Sequence, residues 1–136
     1  PVKLPGLPWE DPRVMDSTDA LMLHDIPKSL LVIGGGIIGL EMATVYRALG
    51  SEVIVVELAE QLMPGADKDL VKPLADRLKN AGVAIHLKTK AAKIEAKKDG
   101  IHVGDLHSFP TRRSSDLWVL KARLRKKPYS IGCWLP

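Results

Sequence analysis

Residues 29–57 read SLLVIGGGIIGLEMATVYRALGSEVIVVE, and one junction inside them constrains the fold more than any other feature. An apolar run, Ser29 to Ile33, stops on three consecutive glycines and resumes at once with helical spacing. A run without polar alternation is the pattern of a strand buried on both faces, as parallel sheets require. From Gly39 to Leu49 the apolar residues share one helical face, and Gly50 supplies a stop. Glu52 to Glu57 reads as a second buried strand, rich in β-branched residues. Asp67 to Gly82 reads as a second helix, with Asp67 and Asp69 at its positive end, Lys79 near its negative end, and Pro73 predicting a kink in its second turn. Val83 to Leu87 is a third strand, and Asp99-Gly100 inside KIEAKKDGIHV predicts a hairpin. Strand, helix, strand, helix, strand with short connections predicts an α/β fold: a right-handed βαβαβ parallel sheet, followed by the truncated start of an antiparallel β-meander.

At 136 residues the chain can bury one core. Residues 1–28 read as a linker: four prolines fall within the first sixteen positions, and Asp16, Ser17 or Thr18 can cap a short helical turn that Pro27 stops. The longest apolar run is about a dozen residues and holds four glycines, too short and too flexible for a membrane span. The chain opens on Pro1 without a charged-then-apolar leader, so a cytoplasmic protein is expected. One cysteine, Cys133, excludes an internal disulfide and a cysteine zinc cage, and the four histidines show no ligand spacing, so no metal site is expected.

Gly34-Gly35-Gly36-Ile37-Ile38-Gly39 satisfies G-x-G-x-x-G in the context that gives the motif meaning, after a strand and before a helix. Gly34 allows the tight turn, Gly36 lets backbone approach a pyrophosphate, and Gly39 lets the helix close on the strand. The helix start offers amide donors and positive dipole charge to the phosphates. Glu57 ends the second strand, 18 residues beyond Gly39, where a carboxylate can accept the ribose hydroxyls of an adenosine and repel a 2′-phosphate. No arginine lies between Leu58 and Gly65 to receive that phosphate, so NAD is expected over NADP. The pattern is Rossmann-like, and by itself it serves NAD and FAD equally.

The stretches IPKSLLVIGGGIIGLEMA, LGSEVIVVE, LMPGADKDLVKPL and DSTDAL resemble the pyridine nucleotide–disulfide oxidoreductases, the dihydrolipoyl dehydrogenases in particular, over residues 1 to about 103. The resemblance implies that residues 29–103 are an incomplete NAD-binding domain, with the main FAD site of the parent outside this chain. It implies Gly34, Gly36 and Gly39 at the pyrophosphate, with Gly35 between them, and Glu57 at the adenine ribose. Ile37 and Ile38 then fall where the dinucleotide passes toward the flavin. Glu41 matches an acid near the nicotinamide and equally suits a first-turn helix acid. The parent reaction takes electrons from dihydrolipoamide through a cysteine pair and FAD to NAD. No cysteine pair is present, so no residue here is expected to be catalytic and the chain alone is expected to be inactive. A parent homodimer and a place in a 2-oxoacid dehydrogenase complex follow from the same resemblance. The alternatives are the NAD(P) domain of a related disulfide reductase, of the glutathione or mercuric kind, and a non-enzymatic nucleotide-binding or basic-tail interaction protein.

Residues 104–136 depart from that pattern. Residues 1–103 hold 13 Lys and Arg against 14 Asp and Glu, whereas 104–136 hold 7 against 2, so the net charge of +4 comes from the last quarter. GDLHSFPTRRSSDL, residues 104–117, resembles the translation of a sequencing adapter, and 118–136 then read as out of frame. An artefactual or disordered tail is expected, and its basic character alone does not support a nucleic-acid partner.

Overall fold

In a computed structural model, the structure describes residues 6–98, 100–108 and 130–133. The elements in order are β1 (Val14–Met15), α1 (Ser17–Leu21), β2 (Ser29–Ile33), α2 (Ile37–Ala48), β3 (Glu52–Val56), α3 (Lys68–Asn80), β4 (Ala84–His86), β5 (Thr89–Lys97), β6 (Gly100–Ser108) and β7 (Ser130–Cys133). The expected βαβαβ unit is therefore present as β2–α2–β3–α3–β4, with all of its strand pairs parallel. α3 runs through Pro73 from Lys68 to Asn80. Both long helices stop on glycines in the left-handed region, Gly50 at φ 100° and Gly82 at φ 88°.

Alternation along β2 and β3 divides the core between the two faces of the sheet. Leu30 and Val32, with Val53 and Val55, join Leu40, Ala43, Tyr46, Val71 and Leu78 beneath the helices. Leu31 and Ile33, with Ile54 and Val56, meet Ile101, Val103 and Ile94 of the hairpin on the other face. This explains the unbroken apolar sequence: successive side chains point to opposite faces, and both faces are covered. The antiparallel β5–β6 pair is the expected start of the meander, paired from Thr89↔Ser108 to Lys97↔Gly100, while Asp99 of its turn lies outside the described residues.

The flanks carry more structure than their sequence implied. Asp16 caps α1, its Oδ1 accepting the Thr18 and Asp19 amides at 2.8 and 3.0 Å while Asp19 Oδ2 accepts the Asp16 amide at 3.1 Å. Leu7 and Val14, in the stretch read as linker, are buried against the hairpin face of the sheet. The five-stranded parallel sheet has the order β1-β7-β2-β3-β4. β7 pairs Leu30↔Ser130 through Ile33↔Cys133 and also holds β1, so a strand from the tail segment sits between two elements more than ninety residues earlier in the chain. The boundary drawn at 103/104 falls inside β6, and residues 109–129, with most of the adapter-like stretch, lie outside the described residues.

Candidate functional site

β2 ends where the sheet can no longer continue: the Gly34 amide still bonds to Val56 O at 2.9 Å, but its φ of 109° turns the chain out of the strand. Only glycine adopts that conformation readily. Gly36 is the N-cap of α2, has no side-chain cap, and a Cβ placed on it would meet nothing within 4 Å. A bare helix start over open space is an anion cradle, since the first-turn amides and the dipole both favour negative charge there. Gly39 is buried inside the first turn, whereas Ile37 and Ile38 stand 61% and 43% exposed at the mouth.

β3 delivers Glu57 to the same place. Its carboxylate is buried and bridges two backbone amides, Oε2 accepting from Gly35 at 2.6 Å and Oε1 from Ala59 at 2.8 Å. A carboxylate oxygen carries more than one acceptor position, so Oε2 retains capacity for a further donor such as a sugar hydroxyl. The structure thus brings together Gly34, Gly35, Gly36, Gly39 and Glu57. Glu41 is exposed on α2, one turn beyond the cradle.

One component escaped the sequence reading. The loop after β3 folds back as a strap over the turn: Leu62, 1% exposed, packs against Gly35, and the Met63 amide donates to Gly35 O at 2.8 Å. Met63 holds a left-handed φ of 49° to do so, and Gln61 Nε2 ties the loop to Ala66 O at 2.9 Å. An apolar Leu62-Met63 pair inside a polar loop, followed by Pro64-Gly65, was the available signal. A separate groove of about 590 Å³ lies between the C-terminal halves of α2 and α3, lined in part by Thr44, Arg47, Leu74 and Arg77, at the far end of α2 from the glycines. Among the described residues no helix is long and apolar enough to cross a membrane.

These residues fit a dinucleotide. The cradle at Gly36 is space that any side chain would fill, and a buried carboxylate stands beside it with acceptor capacity left.

A family model described as pyridine nucleotide-disulphide oxidoreductase matches residues 1–114. The dihydrolipoyl dehydrogenase of Vibrio cholerae serotype O1 is 57% identical over 103 residues, covering 76% of this chain and 22% of that protein. The dihydrolipoyl dehydrogenase of Bacillus subtilis is 37% identical over 136 residues, covering 99% of this chain and 29% of that one. Among solved structures, the HOCl-induced flavoprotein disulfide reductase RclA from Escherichia coli superposes with a TM-score of 0.73 at 27% identity, over 100% of this chain and 28% of its own. The chain therefore spans about a fifth to a third of the length of these relatives.

Proposed function

The chain belongs to the pyridine nucleotide-disulphide oxidoreductase family, and on that premise we propose that it is the NAD-binding part of a flavin-dependent dihydrolipoyl dehydrogenase. The observation that carries the proposal is the Glu57 carboxylate, fixed by the Gly35 and Ala59 amides beside the open Gly36 turn. In this reading the amides at the start of α2 hold the pyrophosphate, and Glu57 Oε2 takes a ribose hydroxyl. Ile37 and Ile38 shield the dinucleotide where it leaves the cradle, and Glu41 lies on its path toward the nicotinamide. When bound, the nicotinamide would supply the hydride acceptor for the reduced flavin of the parent enzyme. This chain binds and orients; it contributes no cysteine pair to the redox relay.

NAD rather than NADP follows from charge, because a buried carboxylate at the ribose opposes a 2′-phosphate. The parent's substrate is then dihydrolipoamide, its flavin is FAD held by a segment outside this chain, and its setting is a homodimer within a cytoplasmic 2-oxoacid dehydrogenase complex. The relatives' shared name, dihydrolipoyl dehydrogenase, supports the substrate.

Calorimetric titration of the full chain tests the site. NADH binds, and Glu57→Arg weakens NADH by at least about tenfold while strengthening NADPH, since a charge-assisted partner is removed from one ligand and offered to the other. Failure of NADH to bind, or indifference of its affinity to the substitution, overturns the reading; salt-sensitive DNA binding in its place would favour a basic interaction protein.

A further inference from the structure

The middle glycine of the cradle is held at both of its peptide groups. Its amide donates to Glu57 Oε2 at 2.6 Å, and its carbonyl accepts the Met63 amide at 2.8 Å. The second bond acts one residue further on. A trans peptide is planar, with its C=O and N–H pointing in opposite directions, so fixing Gly35 O also fixes the direction of the Gly36 amide. That amide opens α2 and has no acceptor among the described residues. A Cβ on Gly36 would meet nothing within 4 Å, so the amide stands at an open cradle.

Holding Met63 there has a cost, because its φ of 49° is unfavourable for any residue but glycine. Burial of Leu62 offsets part of that cost, and the half-buried Gln61 offsets more. Gln61 Nε2 lies 2.9 Å from Ala66 O and 3.5 Å from Met63 O. Both partners are carbonyls, which only accept, so the side-chain amide presents its nitrogen to them. With the Ala66 amide on Met63 O at 3.0 Å, the loop 57–66 closes on itself. We propose that Gln61 is a positioning residue: it latches the strap, the strap keeps the Met63 amide on Gly35 O, and the Gly36 amide is thereby aimed at the pyrophosphate before the dinucleotide arrives. This rests on the reading of the glycine turn as the pyrophosphate cradle. A donor ordered in advance costs nothing to order on binding, whereas an unlatched strap leaves the Gly35–Gly36 peptide for the ligand to fix.

The test takes the full chain as wild type, Gln61→Met, Gln61→Ala and Arg47→Met. NADH affinity is read by calorimetry, and amide exchange and resonance positions by NMR. Gln61→Met keeps the length of the side chain and removes the donor; Gln61→Ala removes the donor with nothing left to crowd the loop. Both lower NADH affinity about threefold to tenfold, the worth of one hydrogen bond. In both, the Met63 amide exchanges faster and the Gly36 amide resonance of the free chain moves. Arg47→Met disturbs the far end of α2 and changes neither NADH affinity nor that resonance. Unchanged NADH affinity in the Gln61 variants overturns this inference alone. So does a loss without change at Met63 and Gly36, or an equal loss in Arg47→Met. Absence of NADH binding in wild type overturns the cradle reading and this inference with it.

Discussion

Gly35 shows how little room a single residue can have. A Cβ there would lie 2.7 Å from Leu62 Cδ2, 3.2 Å from Glu57 Cβ and 3.3 Å from Glu57 Oε2. The first contact is with a flexible side-chain end, but Leu62 is 1% exposed and has nowhere open to swing. Gly35→Ala therefore acts as overpacking and lowers unfolding free energy by about 1–3 kcal/mol. Adding Leu62→Val shortens the obstructing side chain, so the double variant recovers part of the loss in denaturant titrations; costs that simply add would disprove the contact. This coupling was not legible in the sequence. The glycines and Glu57 could be found by spacing, because neighbouring elements fix their geometry. Leu62 and Met63 reach the turn through the loop after β3, and no local period marks them.

Among the elements, α2 and α3 are joined at their exits by Arg47. Its Nε donates to Ala81 O at 2.7 Å and its Nη1 to Ser51 O at 3.0 Å, so one guanidinium satisfies carbonyls at the end of α3 and at the entry to β3. The fit is close, since a Cβ on Gly82 would stand 2.9 Å from Arg47 Nη2. Arg47→Met keeps much of the aliphatic stem and removes both bonds. It costs about 1–3 kcal/mol, read as a lower denaturant midpoint with an unchanged slope. Helices and central strands were legible because 3.6-residue and buried-strand patterns are long enough to declare themselves. β1, two residues long, and β7, four, are too short for any period, and only pairing within the sheet defines them.

For the whole molecule, stability depends on pH through groups outside the cradle. Tyr46 is fully buried, its hydroxyl donating to Ala20 O at 3.0 Å and so tying α1 to α2. Burial, and then the charge of Asp25, raises its pKa above the ordinary 10.0. The unfolded chain therefore ionises first as pH rises, so this contribution is intact below pH about 10 and is lost as pH climbs through the folded value. Tyr46→Phe lowers stability by about 1 kcal/mol near neutrality, since Ala20 O loses its hydroxyl donor but keeps the Leu23 amide at 3.3 Å, and flattens the alkaline limb of midpoint against pH. A limb as steep in the variant as in wild type would show that another group governs it. At the acid end, the Arg13 guanidinium, bonded to Asp11 at 2.6 and 2.7 Å, holds that carboxyl below its ordinary 3.8. That contribution is present above the unfolded value and disappears as pH falls through the folded one.

The position of β7 bears on how the molecule comes to exist. A ribosome emits β1, then β2, β3 and β4, but β1 has its sheet partner in a strand translated more than a hundred residues later. The β2–β3–β4 half can pair while synthesis continues, whereas β1 must wait for the final insertion between itself and β2. Such a long-range closure makes assembly slow and leaves β2 with an unpaired edge until β7 has been translated, an interval in which a nascent copy is open to its neighbours.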